Sequence, residues 1–137
     1  MTYAKKSSGY LQNDILGRPR EWLVPVILEH LMRHLGRAIV QFEMDDVAGR
    51  TQSIGRATSI VYGLMADLDH EQGGEIADHL AGLYSFWAQE IMQASRAREP
   101  QRLAEVRDMV AEIHEAFTAA AQELSPRNGA MKLAAAG

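Results

Sequence analysis

The sequence predicts an all-α fold: an antiparallel up-down four-helix bundle with an N-terminal arm or short cap helix. Two observations predict it. Apolar residues recur at spacings of three and four along four stretches of about 18–24 residues, the signature of one buried face per helix. No stretch alternates apolar and polar residues as a half-buried strand does. At 1.5 Å per residue such helices are roughly 27–36 Å long, and short links between them make sequential neighbours antiparallel.

The first stretch runs from about Trp22 to Phe42, with Val24, Ile27, Leu28, Leu31, Leu35, Ala38, Ile39 and Phe42 on its stripe. Pro19 and Pro25 punctuate its start. A proline fits a first turn, where its missing N–H has no intrahelical partner to lose, so Pro25 either opens the regular helix or kinks it. Asp45, Asp46 and Gly49 form a polar break. The second stretch spans about Thr51 to Leu68 through Ile54, Ala57, Val61, Leu64 and Leu68. Asp69 to Gly74 end it, the paired glycines suiting a cap and turn. The third spans about Glu75 to Ala97 through Ile76, Leu80, Leu83, Trp87, Ile91 and Ala94, with Glu75 and Asp78 in a first turn that favours negative charge. Pro100 restarts the chain. The fourth spans about Gln101 to Leu124 through Leu103, Val106, Val110, Ile113, Phe117, Ala120 and Leu124. Three segments result: an arm over 1–18, a helical bundle over 19–125, and a flexible tail over 126–137 whose KLAAA run has the look of a cloning remnant.

At 137 residues the chain is sized for one core. Its 47% hydrophobic and 23% charged residues are those of a folded globular protein. With no cysteine, there is no disulfide, thiolate metal site or Cys nucleophile. Apolar runs are only a few residues long, so no membrane span is expected. The N-terminus has two lysines but no apolar run behind them, unlike a secretory signal. Lys5, Lys6, Arg18 and Arg20 against Asp14 give residues 1–20 a net charge of +3, leaving −7 on the remainder of a −4 chain. A basic arm can lie against an acidic body or simply carry soluble charge. The mild overall acidity argues against nucleic acid as a partner.

Apolar side chains off the stripes are the informative ones. At 100° per residue, Tyr62 lies about 130° from its stripe centre, Phe86 and Met92 about 120° off on opposite sides of theirs, and Met32 about 110° off. Single exposed apolar residues are ordinary; several on long helices form a surface for a partner helix. Methionine, present seven times, adapts to such contacts.

Catalytic constellations do not assemble, and no enzyme is expected. There is no phosphate loop, dinucleotide fingerprint or nucleophile elbow. His30 and His34 stand at i and i+4, a spacing that can share a metal, but no HExxH and no Glu-x-x-His pair accompanies them. The acidic run Asp67, Asp69, Glu71 and Glu75 lacks EF-hand spacing. No catalytic residue, metal site or cofactor is assigned; a His-based metal bundle remains the lesser alternative. The residues alone read as a helical binding protein.

The run Ser59-Ile-Val-Tyr-Gly-Leu-Met-Ala-Asp-Leu-Asp69, followed by Gly73-Gly74-Glu75-Ile76-Ala77 and then Leu80-Ala-Gly-Leu83-Tyr84, resembles the signature of the flagellar secretion chaperone family, FliS. The fourth stretch is similar to the family too, with Phe117 where the family usually has Trp, as is Tyr10-Leu-Gln12-Asn13-Asp-Ile15. The resemblance covers about Tyr10 to Leu124. It implies a cytoplasmic chaperone that binds the disordered C-terminal segment of flagellin, blocks premature polymerisation and keeps the subunit competent for the flagellar type III export apparatus. It further implies that an arm bearing Tyr10, Ile15 and Leu16 docks on the free bundle and yields to client. The expected client groove draws on Ile54, Val61, Tyr62, Met65, Leu80, Tyr84 and Trp87. Several of these lie on the stripes, so core and contact both stand open for each. Asp69, Gly73 and Gly74 read as structural. The alternatives are a regulatory or adaptor bundle binding another flagellar factor, and a homodimer.

Overall fold

The computed structural model describes residues 23–124, and these form four helices: α1 Leu23–Glu43, α2 Val47–Ala66, α3 His70–Ala97 and α4 Pro100–Leu124. No strand occurs among them, and the fold is all-α. Connectors of two or three residues force each helix to reverse against the one before it. The chain divides into two compact units, residues 27–113 and the set made of 1–26 with 114–137. The arm expected over 1–18, with Tyr10, Ile15 and Leu16, lies outside the described residues, as does the tail over 126–137.

Pro25 lies in the first turn of α1 and is fully buried. It begins the helix without kinking it, because the first N–H groups of a helix have no acceptor within it. At the far end Asp45 takes a left-handed conformation (φ 56°), and the Asp46 amide donates back to the Gln41 carbonyl at 2.8 Å. Asp46 then caps α2, its carboxylate accepting from the Gly49 amide at 2.9 Å. This cap carries α2 back to Val47, a turn before the Thr51 start expected from the apolar stripe. Arg50 ties the reversal together, with its guanidinium 4.4 Å from the Phe42 ring centre and 3.7 Å from Asp45.

The Asp69-to-Gly74 segment differs from the expected end of α2. Asp67 closes α2, and Asp69 instead caps α3, accepting from the amides of Glu71 and Gln72 at 3.1 and 3.0 Å. One helical turn follows before Gly74 breaks the regular path at φ 50°, ψ −126°, and the helix resumes at Glu75. Glycine adopts that conformation because no Cβ opposes it. Past the kink the buried residues Ala77, Tyr84, Trp87, Ile91 and Ala94 keep one helical phase. Ala77 is buried where the stripe suggested Ile76, which is 70% exposed. Near the end of α4, Ala121 is buried and Ala120 exposed, the four-residue step from Phe117 winning over the three-residue one.

The core of residues 27–113 is built from one stripe per helix: Leu28, Leu31, Leu35 and Ala38 on α1, Ala57, Val61 and Leu64 on α2, Tyr84, Trp87 and Ile91 on α3, and Leu103, Val106 and Val110 on α4. Buried Ser53 donates to Gln41 Oε1 at 2.7 Å, so its hydroxyl enters the α1–α2 contact satisfied. Arg102 links α3 to the start of α4 through Glu90 at 2.9 Å and Glu99 at 2.6 Å.

Candidate client-binding surface

Packing sorts the expected site residues by depth. Val61 and Trp87 have no exposed surface, and Tyr84 keeps 2%. Tyr84 and Trp87 are core neighbours, their rings 5.3 Å apart and tilted by 48°. Burial pushes the Tyr84 phenol up to about 12, since ionisation there would place an anion in an apolar interior. In the free chain these three side chains shape the floor beneath the surface. Ile54, Met65 and Leu80 are half-buried, and Tyr62 is half-exposed. Those four are the residues of the expected set that a partner can touch without opening the core.

The outward apolar residues follow from helix phase. Tyr62, Phe86 and Met92 are each 44–50% exposed, as their distance from the stripes requires. Met32 does not follow that pattern and is half-buried. Ile76 joins the exposed group near the start of α3, at the edge of the arc centred on Ala77, Tyr84, Trp87 and Ile91. On α2, Tyr62 stands one turn from Thr58 and beside Met65, and the exposed Gly55, Gly63 and Ala66 leave low relief around the ring. Helices α2 and α3 pack directly on each other. Tyr62, Phe86 and Ile76 are thus apolar side chains left open on a packed helix pair, a setting in which an amphipathic helix can be received.

Metal-binding potential is poor at the one spacing that suggested it. No group of three His, Asp or Glu side chains able to hold an ion occurs among the described residues. His34 is held below the usual imidazole range by burial, then by the positive charges of Arg37, Arg56, His30 and Arg33. Cations gathered around an imidazole oppose a further cation. Nor is any described helix long and apolar enough to cross a membrane.

Packed helices with solvent-facing apolar side chains have the character of a surface that receives another protein. Comparison with known proteins makes this specific. The family model described as "Flagellar protein FliS" matches residues 2–124. The flagellar secretion chaperone FliS of Salmonella typhimurium is 28% identical over 118 residues, covering 85% of this chain and 84% of that protein. Its counterpart in Campylobacter jejuni is 30% identical over 110 residues, covering 80% and 86%. The chaperone FliSB of Pseudomonas aeruginosa is 28% identical over 91 residues, covering 66% and 72%. The chain belongs to the FliS family of flagellar secretion chaperones, a non-enzymatic class, and its expected partners are those of flagellar export.

Proposed function

We propose that the protein is a cytoplasmic export chaperone that binds the disordered C-terminal segment of flagellin. Bound, that segment is withheld from other subunits, so filament assembly does not begin early and the subunit stays competent for the flagellar type III export apparatus. The observation that carries this reading is the family match over residues 2–124, joined to apolar side chains left exposed on the packed pair α2 and α3. A disordered client folds onto such a surface at a cost in ordering entropy, so the complex is specific yet releasable. Tyr62, Ile76 and Phe86 supply the outer contact; Ile54, Met65 and Leu80 supply the half-buried margin, and Val61, Tyr84 and Trp87 hold the helices beneath them in register. Tyr10, Ile15 and Leu16 belong to the arm that gives way to client.

The test is titration calorimetry of the full-length chain with flagellin, intact and lacking its C-terminal segment. Stoichiometric heat with intact flagellin and none with the truncated form is expected. Equal binding of both forms would refute the site of recognition, and no binding of either would refute the client.

A further inference from the structure

Helix α1 carries a second seam on the side away from its core stripe. His30, Arg33, Arg37, Val40 and Met44 follow one another at steps of three, four, three and four, the spacing that lines one face of a helix against another. Its first half is basic. Its second half is apolar and open, with Val40 52% and Met44 72% exposed, and Val47 beside them at the start of α2.

Two more arginines flank the seam. On the α2 side, the Arg56 charge reaches His34, along with those of Arg33 and Arg37. On the α4 side, a guanidinium nitrogen of Arg107 lies 3.6 Å from where a Cβ on Gly36 would stand. All these groups lie within the unit of residues 27–113.

Among the described residues the seam carries more positive than negative charge. Residues 23–124 contain eight arginines, no lysine and sixteen Asp or Glu. With two acidic residues for every basic one, pairing is available by composition. Yet none of Arg33, Arg37, Arg56 and Arg107 forms an ion pair among the described residues, whereas Arg50 and Arg102 do. Of the two carboxylates of α1, Glu43 lies about 60° round the helix from Val40, whereas Glu29 stands one turn before Arg33 at the edge of the seam, a single acid beside the basic half. By composition the chain ends are basic. Residues 1–22 hold four basic side chains against Asp14 and Glu21, and residues 125–137 hold Arg127 and Lys132 with no acid.

We infer that the outer face of α1 is a docking seam for an acidic, amphipathic helix of a second protein, carboxylates against Arg33 and Arg37 and apolar side chains against Val40 and Met44. The seam from His30 to Met44 is about 21 Å long, room for roughly four turns of partner helix. Half of the recognition is electrostatic and gives orientation and on-rate; the apolar half slows dissociation. The seam stands apart from the apolar residues of α2 and α3 assigned to flagellin, so this inference does not depend on that assignment.

The experiment uses the full-length chain and a labelled helical peptide of about sixteen residues, with glutamates at three-four spacing in its first half and leucines in its second. Fluorescence anisotropy is read against rising salt. The expected result is binding that weakens with salt, about tenfold weaker for Arg33→Gln/Arg37→Gln and undetectable for Arg33→Glu/Arg37→Glu. Arg96→Glu on α3 serves as charge control and should leave affinity unchanged. Circular dichroism of each variant separates loss of binding from loss of fold. The inference is overturned if a peptide with glutamine in place of glutamate binds equally, or if charge reversal changes affinity by less than about twofold. It is also overturned if phosphatidylserine vesicles bind in an Arg33- and Arg37-dependent way while the peptide does not, or if sedimentation shows the seam to be filled by a second copy of the chain.

Discussion

Gly74 offers the sharpest test of how the backbone shapes this surface. At φ 50° and ψ −126° it occupies a region that side chains oppose, yet beyond its chain neighbours and its own helix backbone nothing lies within 4 Å of where its Cβ would be. Any cost of Gly74→Ala therefore comes from the backbone alone, about 1–3 kcal/mol. Gly82 is the internal control. It lies in regular helix further along α3, also with nothing within 4 Å of a built Cβ. Gly82→Ala should stabilise by about 0.5–1 kcal/mol, because alanine loses less chain entropy on folding. Two identical chemical changes on one helix are thus expected to act in opposite directions, about 1.5–4 kcal/mol apart. Urea denaturation followed by circular dichroism at 222 nm measures the difference, provided m stays constant. Gly74→Ala should keep its flagellin complex under native conditions, since the residue shapes the turn and offers no side chain to a client. If Gly74→Ala proved as stable as Gly82→Ala, the kink would not be required by the fold.

Further outcomes follow from the same contacts. Asp69→Ala removes the acceptor for two amides and should cost about 1 kcal/mol by urea titration. Trp87→Ala should cost about 3–5 kcal/mol, whereas Tyr62→Ala should change stability by less than about 0.5 kcal/mol and weaken flagellin binding measured by calorimetry. Tyr84 should be among the last tyrosines to ionise in an ultraviolet titration. Its native pKa lies above its unfolded value, so stability should fall as pH rises from about 10 toward about 12. His34 has the reverse sign, its imidazole disfavoured as a cation by burial and by Arg37, Arg56, His30 and Arg33. Stability should be fully present above about pH 6.5 and decline on acidification, and His34→Gln should flatten that decline in acid unfolding curves.

Periodicity is a property of the chain, and most of the bundle was legible in it. A helix repeats every 3.6 residues, so Leu28, Leu31, Leu35 and Ala38, or Leu103, Val106 and Val110, declare their common face before any coordinates exist. The same arithmetic placed Tyr62, Phe86 and Met92 outside. The Leu-Asp, Gly-Gly-Glu-Ile-Ala and Leu-Tyr run pointed to the family that comparison then established. Periodicity was less informative at the helix ends, where a cap or a left-handed residue sets the boundary. The φ of Gly74 is invisible in the letters Gly-Gly, and so was the start of α3 at His70 with Asp69 as its cap. Depth was the other blind spot, because a stripe residue is contact or core according to what covers it. Only the packing of α2 against α3 put Val61, Tyr84 and Trp87 beneath the surface while leaving Ile54, Met65 and Leu80 at its margin. Ion pairing is likewise a matter of distance between helices. The sequence determined that arginines recur along α1; the tertiary structure decided that Arg33 and Arg37 meet no carboxylate among the described residues, since a charge is neutralised by what stands within a few ångströms of it.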